Sequence, residues 1–199
     1  MSDPAAILVA ARDEEHTIAA TVAALKARFP GSELLVADDG SRDGTAADAE
    51  RAGARVVRLA RRGKGQALTL AEKEAPAGDL LLADADLVGD LGALVETDGS
   101  LAVAVFAERR GGGIGIAKRA ARELIRIRTG FSAREPLSGQ RHLSPEAREE
   151  CFPLAAGFGC EVRMTVDAAR AGLRVSEVEL ATASVRSPRR HACLTATVA

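Results

Sequence analysis

The sequence predicts an α/β protein built on a mostly parallel sheet with helices on its faces. Three observations carry this. Four short apolar runs in the first half each lead into a polar loop and then a helical pattern. The runs are continuous rather than alternating, which suits strands buried on both faces. Each is separated from the next by a crossover long enough to hold a helix, as parallel neighbours require. In an open parallel sheet ligands bind outside the carboxyl ends of the strands, so the four polar loops should meet in one crevice.

The first run, residues 5–10 (AAILVA), is followed by Arg12-Asp13-Glu14-Glu15-His16 and a helix over 17–29, where Ile18, Val22 and Leu25 recur at helical spacing until Pro30-Gly31. The second, residues 33–38 (ELLVAD), opens into Asp38-Asp39-Gly40-Ser41-Arg42-Asp43-Gly44, and a helix runs from Thr45 to Gly53. The third, residues 55–59, leads to Arg61-Arg62-Gly63-Lys64-Gly65 and a helix to Glu74. After Pro76 and Gly78 the fourth, Leu80-Leu81-Leu82-Ala83, stops in Asp84-Ala85-Asp86-Leu87.

The second half is less regular. Residues 91–96 suit a helical turn or two, 101–106 a strand, and Gly111-Gly112-Gly113 a hinge or lid. Residues 116–128 predict an amphipathic helix with Ile116, Ala120, Leu124 and Ile127 inward. Residues 135–141 read as a polar loop or short strand, and Ser144-Pro145 caps a short helix ending near Cys151. A helix over 161–171 and an extended segment over 175–185 complete the pattern. The seam between halves falls near 106–113, dividing the chain into 1–108 and 109–199.

Composition narrows the function. A chain of 199 residues makes one domain, or two closely joined halves of one. The net charge of -1 gives no general attraction to nucleic acid or acidic membranes, and with no Trp, no Tyr and five Phe there are no base-stacking platforms. Cys151, Cys160 and Cys193 match no zinc or redox spacing, so reduced structural thiols in a cytoplasm are expected. The first residues lack the features of a signal peptide, and no run approaches the roughly 20 apolar residues of a membrane span.

Asp84 and Asp86 place two hard oxygen ligands at the end of a strand, suited to Mg²⁺ or Mn²⁺ bridging to phosphate; a turn or helix cap is the competing account. Lys64 can reach a phosphate or diphosphate, with a solvated basic loop as its rival. Asp39 suits a base or ribose hydroxyl, or else an Asx-turn. The glycine-rich dinucleotide fingerprint is absent after the first strand.

Ala11-Arg12-Asp13-Glu14-Glu15, Asp38-Asp39-Gly40-Ser41-Arg42-Asp43-Gly44-Thr45, Gly63-Lys64-Gly65 and Asp84-Ala85-Asp86-Leu87 resemble the successive signature segments of family 2 glycosyltransferases, whose fold is called GT-A. Glu135-Pro136-Leu137-Ser138-Gly139-Gln140-Arg141 is similar to the Asp-Pro-x-Ser-Gly-Phe-Arg segment of polyprenyl-phosphate sugar transferases. Gly157-Phe158-Gly159-Cys160-Glu161 resembles a segment of bacterial glucosyl-3-phosphoglycerate synthases.

The resemblance implies a metal-dependent glycosyltransferase whose donor is a nucleoside-diphosphate sugar, with a UDP-sugar the leading expectation. Ala10, Ala11, Arg12, Glu14 and Asp39 would hold the nucleoside, Lys64 would fix it or its phosphates, and Asp84 and Asp86 would serve nucleotide and metal. In the synthases a C-terminal histidine joins the metal; a gapless comparison places Pro188 there, leaving His191 as the candidate. The second half would meet a small phosphorylated or carboxylated acceptor, or a lipid phosphate, through Ser138, Gly139, Arg141 and Arg186, with Arg189 and Arg190 as further cations. An inverting path needs a carboxylate base, for which Glu135 and Glu161 are candidates; a retaining path needs none there. A homodimer is compatible with these readings. The rival functions are a sugar-phosphate nucleotidyltransferase and a non-catalytic nucleotide-sugar binding module.

Overall fold

The computed structural model describes residues 3–86, 90–106, 115–156 and 159–180. Along the chain these form β1 (Ala6–Ala11), α1 (Ile18–Arg28), β2 (Glu33–Asp38), α2 (Thr45–Arg51), β3 (Arg55–Arg58), α3 (Lys64–Glu72) and β4 (Leu80–Asp84). Then follow α4 (Gly92–Val95), β5 (Leu101–Phe106), α5 (Gly115–Thr129), β6 (Arg141–Leu143), α6 (Pro145–Cys151), α7 (Cys160–Arg170) and β7 (Val175–Leu180). The described strands make one seven-stranded sheet in the order β3-β2-β1-β4-β6-β5-β7. β1 runs parallel to β2 and β4, β2 to β3, and β5 to β7, whereas β6 is antiparallel to both neighbours.

Continuous apolar runs are explained by a core on each face. Ile7, Val9, Val36, Leu81 and Ala83 point to one side and pack with Ile18, Val22 and Leu25 of α1 and with Leu91 and Leu94 beside α4. Leu8, Leu35, Leu80 and Leu82 point to the other and meet Leu68 of α3 and Met164 of α7. Each such side chain taken from water contributes roughly 1.5–3 kcal/mol. The four strands β3, β2, β1 and β4 therefore end together, and their loops share one edge as the sequence predicts.

One feature adds to the expectation and one corrects it. Residues 135–141 lead into β6, which is inserted between β4 and β5 with Leu82 opposite Arg141. Three residues are too short to show a period, so the sequence does not reveal this pairing. The second is a correction to α5. Its expected inward stripe faces solvent, with Ile116 84%, Leu124 46% and Ile127 67% exposed, while Ala121 and Ile125 are buried. Periodicity identifies an apolar stripe but not what covers it; α5 packs through Ile125 against Val166 and Val162 of α7 and against Ala133 and Phe131. The triple-glycine hinge and the expected extension over 181–185 lie outside the described residues.

Candidate active site

The loops on the carboxyl edge are tied together by their own polar groups. Asp13 N–H donates to Ser41 Oγ at 3.0 Å, Arg42 N–H to Asp13 Oδ1 at 2.9 Å, and Glu14 N–H to Thr45 Oγ1 at 2.7 Å. Gly44 N–H donates to Glu15 Oε2 at 2.9 Å, and Thr17 Oγ1 to Glu14 Oε2 at 3.1 Å. The acids after β1 thus lock this loop to the one after β2. Ala10 and Arg12 are half-buried beside it, and Ala11 is buried.

Asp39 is buried and its carboxylate accepts Arg62 N–H at 2.6 Å and Gly63 N–H at 2.9 Å. It braces the turn that starts α3 and so presents Lys64. Gly65 serves packing rather than ligand approach, because a Cβ there would collide with the carbonyl oxygen of Ala155.

Lys64 Nζ lies 2.7 Å from Asp84 Oδ1 and 2.8 Å from Glu161 Oε1. Burial disfavours the ammonium, but the charges and hydrogen bonds of the two carboxylates outweigh it, and the lysine is held above its ordinary pKa. Gln140 Nε2 donates to the other oxygen, Asp84 Oδ2, at 2.9 Å. Both oxygens of Asp84 are therefore fixed. Asp86 follows half-buried two residues on, and Thr21 Oγ1 holds the intervening Ala85 carbonyl at 2.8 Å.

The residues expected to meet an acceptor divide. Ser138 and Gly139 are buried next to Asp84, with Ser138 Oγ donating to Gln140 Oε1 at 3.2 Å. Arg141, expected to help bind an anionic acceptor, is 0% exposed and uses its donors inside the protein. Its guanidinium donates to Ser138 O at 2.8 Å, Pro136 O at 3.2 Å and Thr165 Oγ1 at 2.9 Å, and burial holds its pKa down. It pins the 136–138 loop to α7. Glu135 is buried and paired with Lys118 at 2.5 Å. Glu161, at the start of α7, receives Cys160 Sγ–H on Oε2 at 3.0 Å, and burial with that carboxylate pushes the Cys160 thiol up to about 12. Arg186, Arg189, Arg190 and His191 lie outside the described residues.

The model of the family described as "Glycosyl transferase family 2" matches residues 6–126, which span β1 to most of α5. The chain belongs to glycosyl transferase family 2. It is 32% identical to Glycosyltransferase AglJ of Haloferax volcanii, with 88% of this chain matching 62% of that protein. This family 2 chain thus spans less than two thirds of that relative's length. Its fold is that of glucosyl-3-phosphoglycerate synthase from Mycobacterium tuberculosis. The form of that enzyme with Mn²⁺, UDP-glucose and phosphoglyceric acid gives a TM-score of 0.75 at 27% identity, covering 92% of this chain and 72% of the other. The form with Mg²⁺ and UDP gives the same values. The mixed α/β architecture expected for a GT-A fold is thus present.

Within this family 2 site, sequence reasoning missed Gln140. A signal was available, since a polar residue stands where the resembling Ser-Gly-Phe-Arg segment has phenylalanine. Gly139 has a steric reason the sequence did not state: a Cβ would lie only 2.7 Å from Asp84 Cγ. Gly139→Ala should therefore displace the Asp84 carboxylate and lower catalytic efficiency about 100-fold with little loss of overall stability, read by steady-state kinetics beside thermal unfolding.

Proposed function

We propose that this chain transfers a sugar from a UDP-sugar to a phosphorylated or carboxylated acceptor, with Mg²⁺ or Mn²⁺ as its resident ion. The observation that carries the reading is the end of β4, where Asp84 closes the strand on the shared loop edge, Asp86 follows two residues on, and Lys64 and Gln140 fix the Asp84 carboxylate. The metal forms of the synthase from M. tuberculosis support it. Asp86 and Asp84 would hold the ion, with His191 the proposed further ligand. The donor set fits in kind, since two carboxylates at and just beyond the end of a strand offer hard oxygens, while among the described residues no group of three or more His, Cys, Asp or Glu is placed to hold an ion. Mg²⁺ and Mn²⁺ take one or two carboxylates and complete their shell with phosphate oxygens and water. A bound ion supplies charge stabilisation for the departing diphosphate.

The chain's own groups do the rest. Asp39 holds the turn that aims Lys64, and the Lys64 ammonium offers a phosphate oxygen a cation already poised between two carboxylates. Gln140 keeps Asp84 from rotating. The buried Ser138-Gly139 stretch brings the second half into contact with the donor-side carboxylate, which supports an acceptor position against that wall. Residues 1–108 thus serve the donor and 109–199 the acceptor. Glu161 tethers Lys64 and stands beside the same site, whereas the other candidate base, Glu135, pairs with Lys118.

The test is turnover of UDP-glucose with phosphoglyceric acid and Mn²⁺. UDP release should require the metal, stop with a chelator, and fall at least about 1,000-fold in Asp86→Ala. Undiminished turnover in Asp86→Ala contradicts the reading. Pyrophosphate release from UTP and a sugar phosphate would instead favour a nucleotidyltransferase.

A further inference from the structure

We infer that α5 is a docking helix for an anionic lipid surface. Among the described residues, the exposed large hydrophobics are Ile116, Leu124 and Ile127, and all three belong to this one helix. At 100° per residue, positions 116, 120, 124 and 127 fall within a sector of about 80°, so they form one continuous stripe. The stripe borders a groove of about 360 Å³ between α5 and α7, walled by Ala120, Leu124, Val162 and Val166. Exposed arginines flank it, Arg119 and Arg126 on one side and Arg128 on the other.

Charge decides the occupant. The sequence of α5, GIAKRAARELIRIRT, carries five basic residues against the single acid Glu123, although the whole chain has a net charge of -1. A second copy of the chain seated face to face would oppose arginine to arginine. The C-terminal residues 181–199 contain three arginines and no Asp or Glu, so they do not complement the helix either. Nucleic acid would engage the arginines but leave the isoleucines in water. An aliphatic stripe bordered by arginines matches the boundary between acyl chains and anionic headgroups, where a helix lies in the plane with its apolar face inserted about 5–10 Å. Among the described residues no helix is long and apolar enough to cross a membrane, and the proposed contact is made by the face of α5.

The same helix reaches the proposed acceptor side, because Lys118 pairs with Glu135 at the head of the loop that carries Ser138 and Gly139. Docking there would set the crevice beside the lipid surface. The inference does not depend on the sugar-transfer reading, since its readout is binding.

The experiment is cosedimentation of the full chain with vesicles of phosphatidylcholine alone and of an equal mixture of phosphatidylcholine and phosphatidylglycerol. Binding to the mixed vesicles should be at least about tenfold stronger and should weaken with salt. The double variants Ile116→Ser/Ile127→Ser and Arg119→Ala/Arg126→Ala should each reduce it about tenfold or more, while their thermal midpoints stay near that of the parent. Equal partition onto the two vesicles, or unchanged binding by either double variant, overturns the proposal. So does a lipid-independent dimer that Ile116→Ser/Ile127→Ser dissolves, which would assign the face to a second copy. Binding to soluble polyglutamate as tight as to the mixed vesicles would assign it to an acidic polymer.

Discussion

Lys64→Met should abolish donor binding and weaken the fold, because one ammonium bridges two carboxylates. Lys64 Nζ is within 2.8 Å of both Asp84 and Glu161, and the Glu161 side chain is only 9% exposed. Without the lysine, two negative groups face each other and one is largely cut off from water. Breaking a fully buried pair costs about 3–5 kcal/mol, but the Lys64 side chain is 30% exposed, so solvent screening reduces the expected loss to roughly 1–3 kcal/mol. The double variant Lys64→Met/Glu161→Gln relieves the repulsion and should recover part of that stability, a coupling of about 0.5–3 kcal/mol, without restoring donor affinity. Urea unfolding and titration with UDP-glucose separate the two effects. Donor affinity unchanged in Lys64→Met would remove the lysine from the donor site.

Arg141→Ala should produce the largest loss of stability, about 3–5 kcal/mol. The side chain is 0% exposed, and its removal takes the donor from Ser138 O, Pro136 O and Thr165 Oγ1 while opening a void between β6 and α7. Arg141→Lys keeps the charge but not the planar fork, so it should retain only part of the stability. Activity should fall alongside, since the loop that carries Gly139 and Gln140 loses its anchor to α7. A loss below about 1 kcal/mol in urea unfolding would show that the buried guanidinium is not the anchor.

What the sequence made legible follows from how each signal arises. The parallel half was readable because strands buried on both faces leave continuous apolar runs, and Gly, Pro and Asp mark every loop between them. β2, β5 and α6 begin where the apolar and capping signals put them, Ser144 Oγ accepting the Ala147 N–H at the start of α6 as its position before Pro145 implies. β6 was not readable, because its partners are distant in the chain and its three residues have no period. The same holds for side-chain purposes. Asp84 and Lys64 were legible as candidate site residues from charge and position, and the structure pairs them, yet nothing local reveals that Asp39 spends its carboxylate on the turn before Lys64, or that Arg141 points into the core. Those assignments depend on which strand lies beside which.

The most direct test of the account is the effect of UDP-glucose on thermal unfolding, with and without Mn²⁺, in the parent chain and in Asp86→Ala. A ligand that binds the folded state alone stabilises it by about 2.7 kcal/mol at 100 times its Kd. The parent should therefore gain several degrees with UDP-glucose and Mn²⁺ together and much less with either alone, and Asp86→Ala should lose the metal-dependent gain. An equal, metal-independent shift in both proteins would contradict a donor site built on the end of β4.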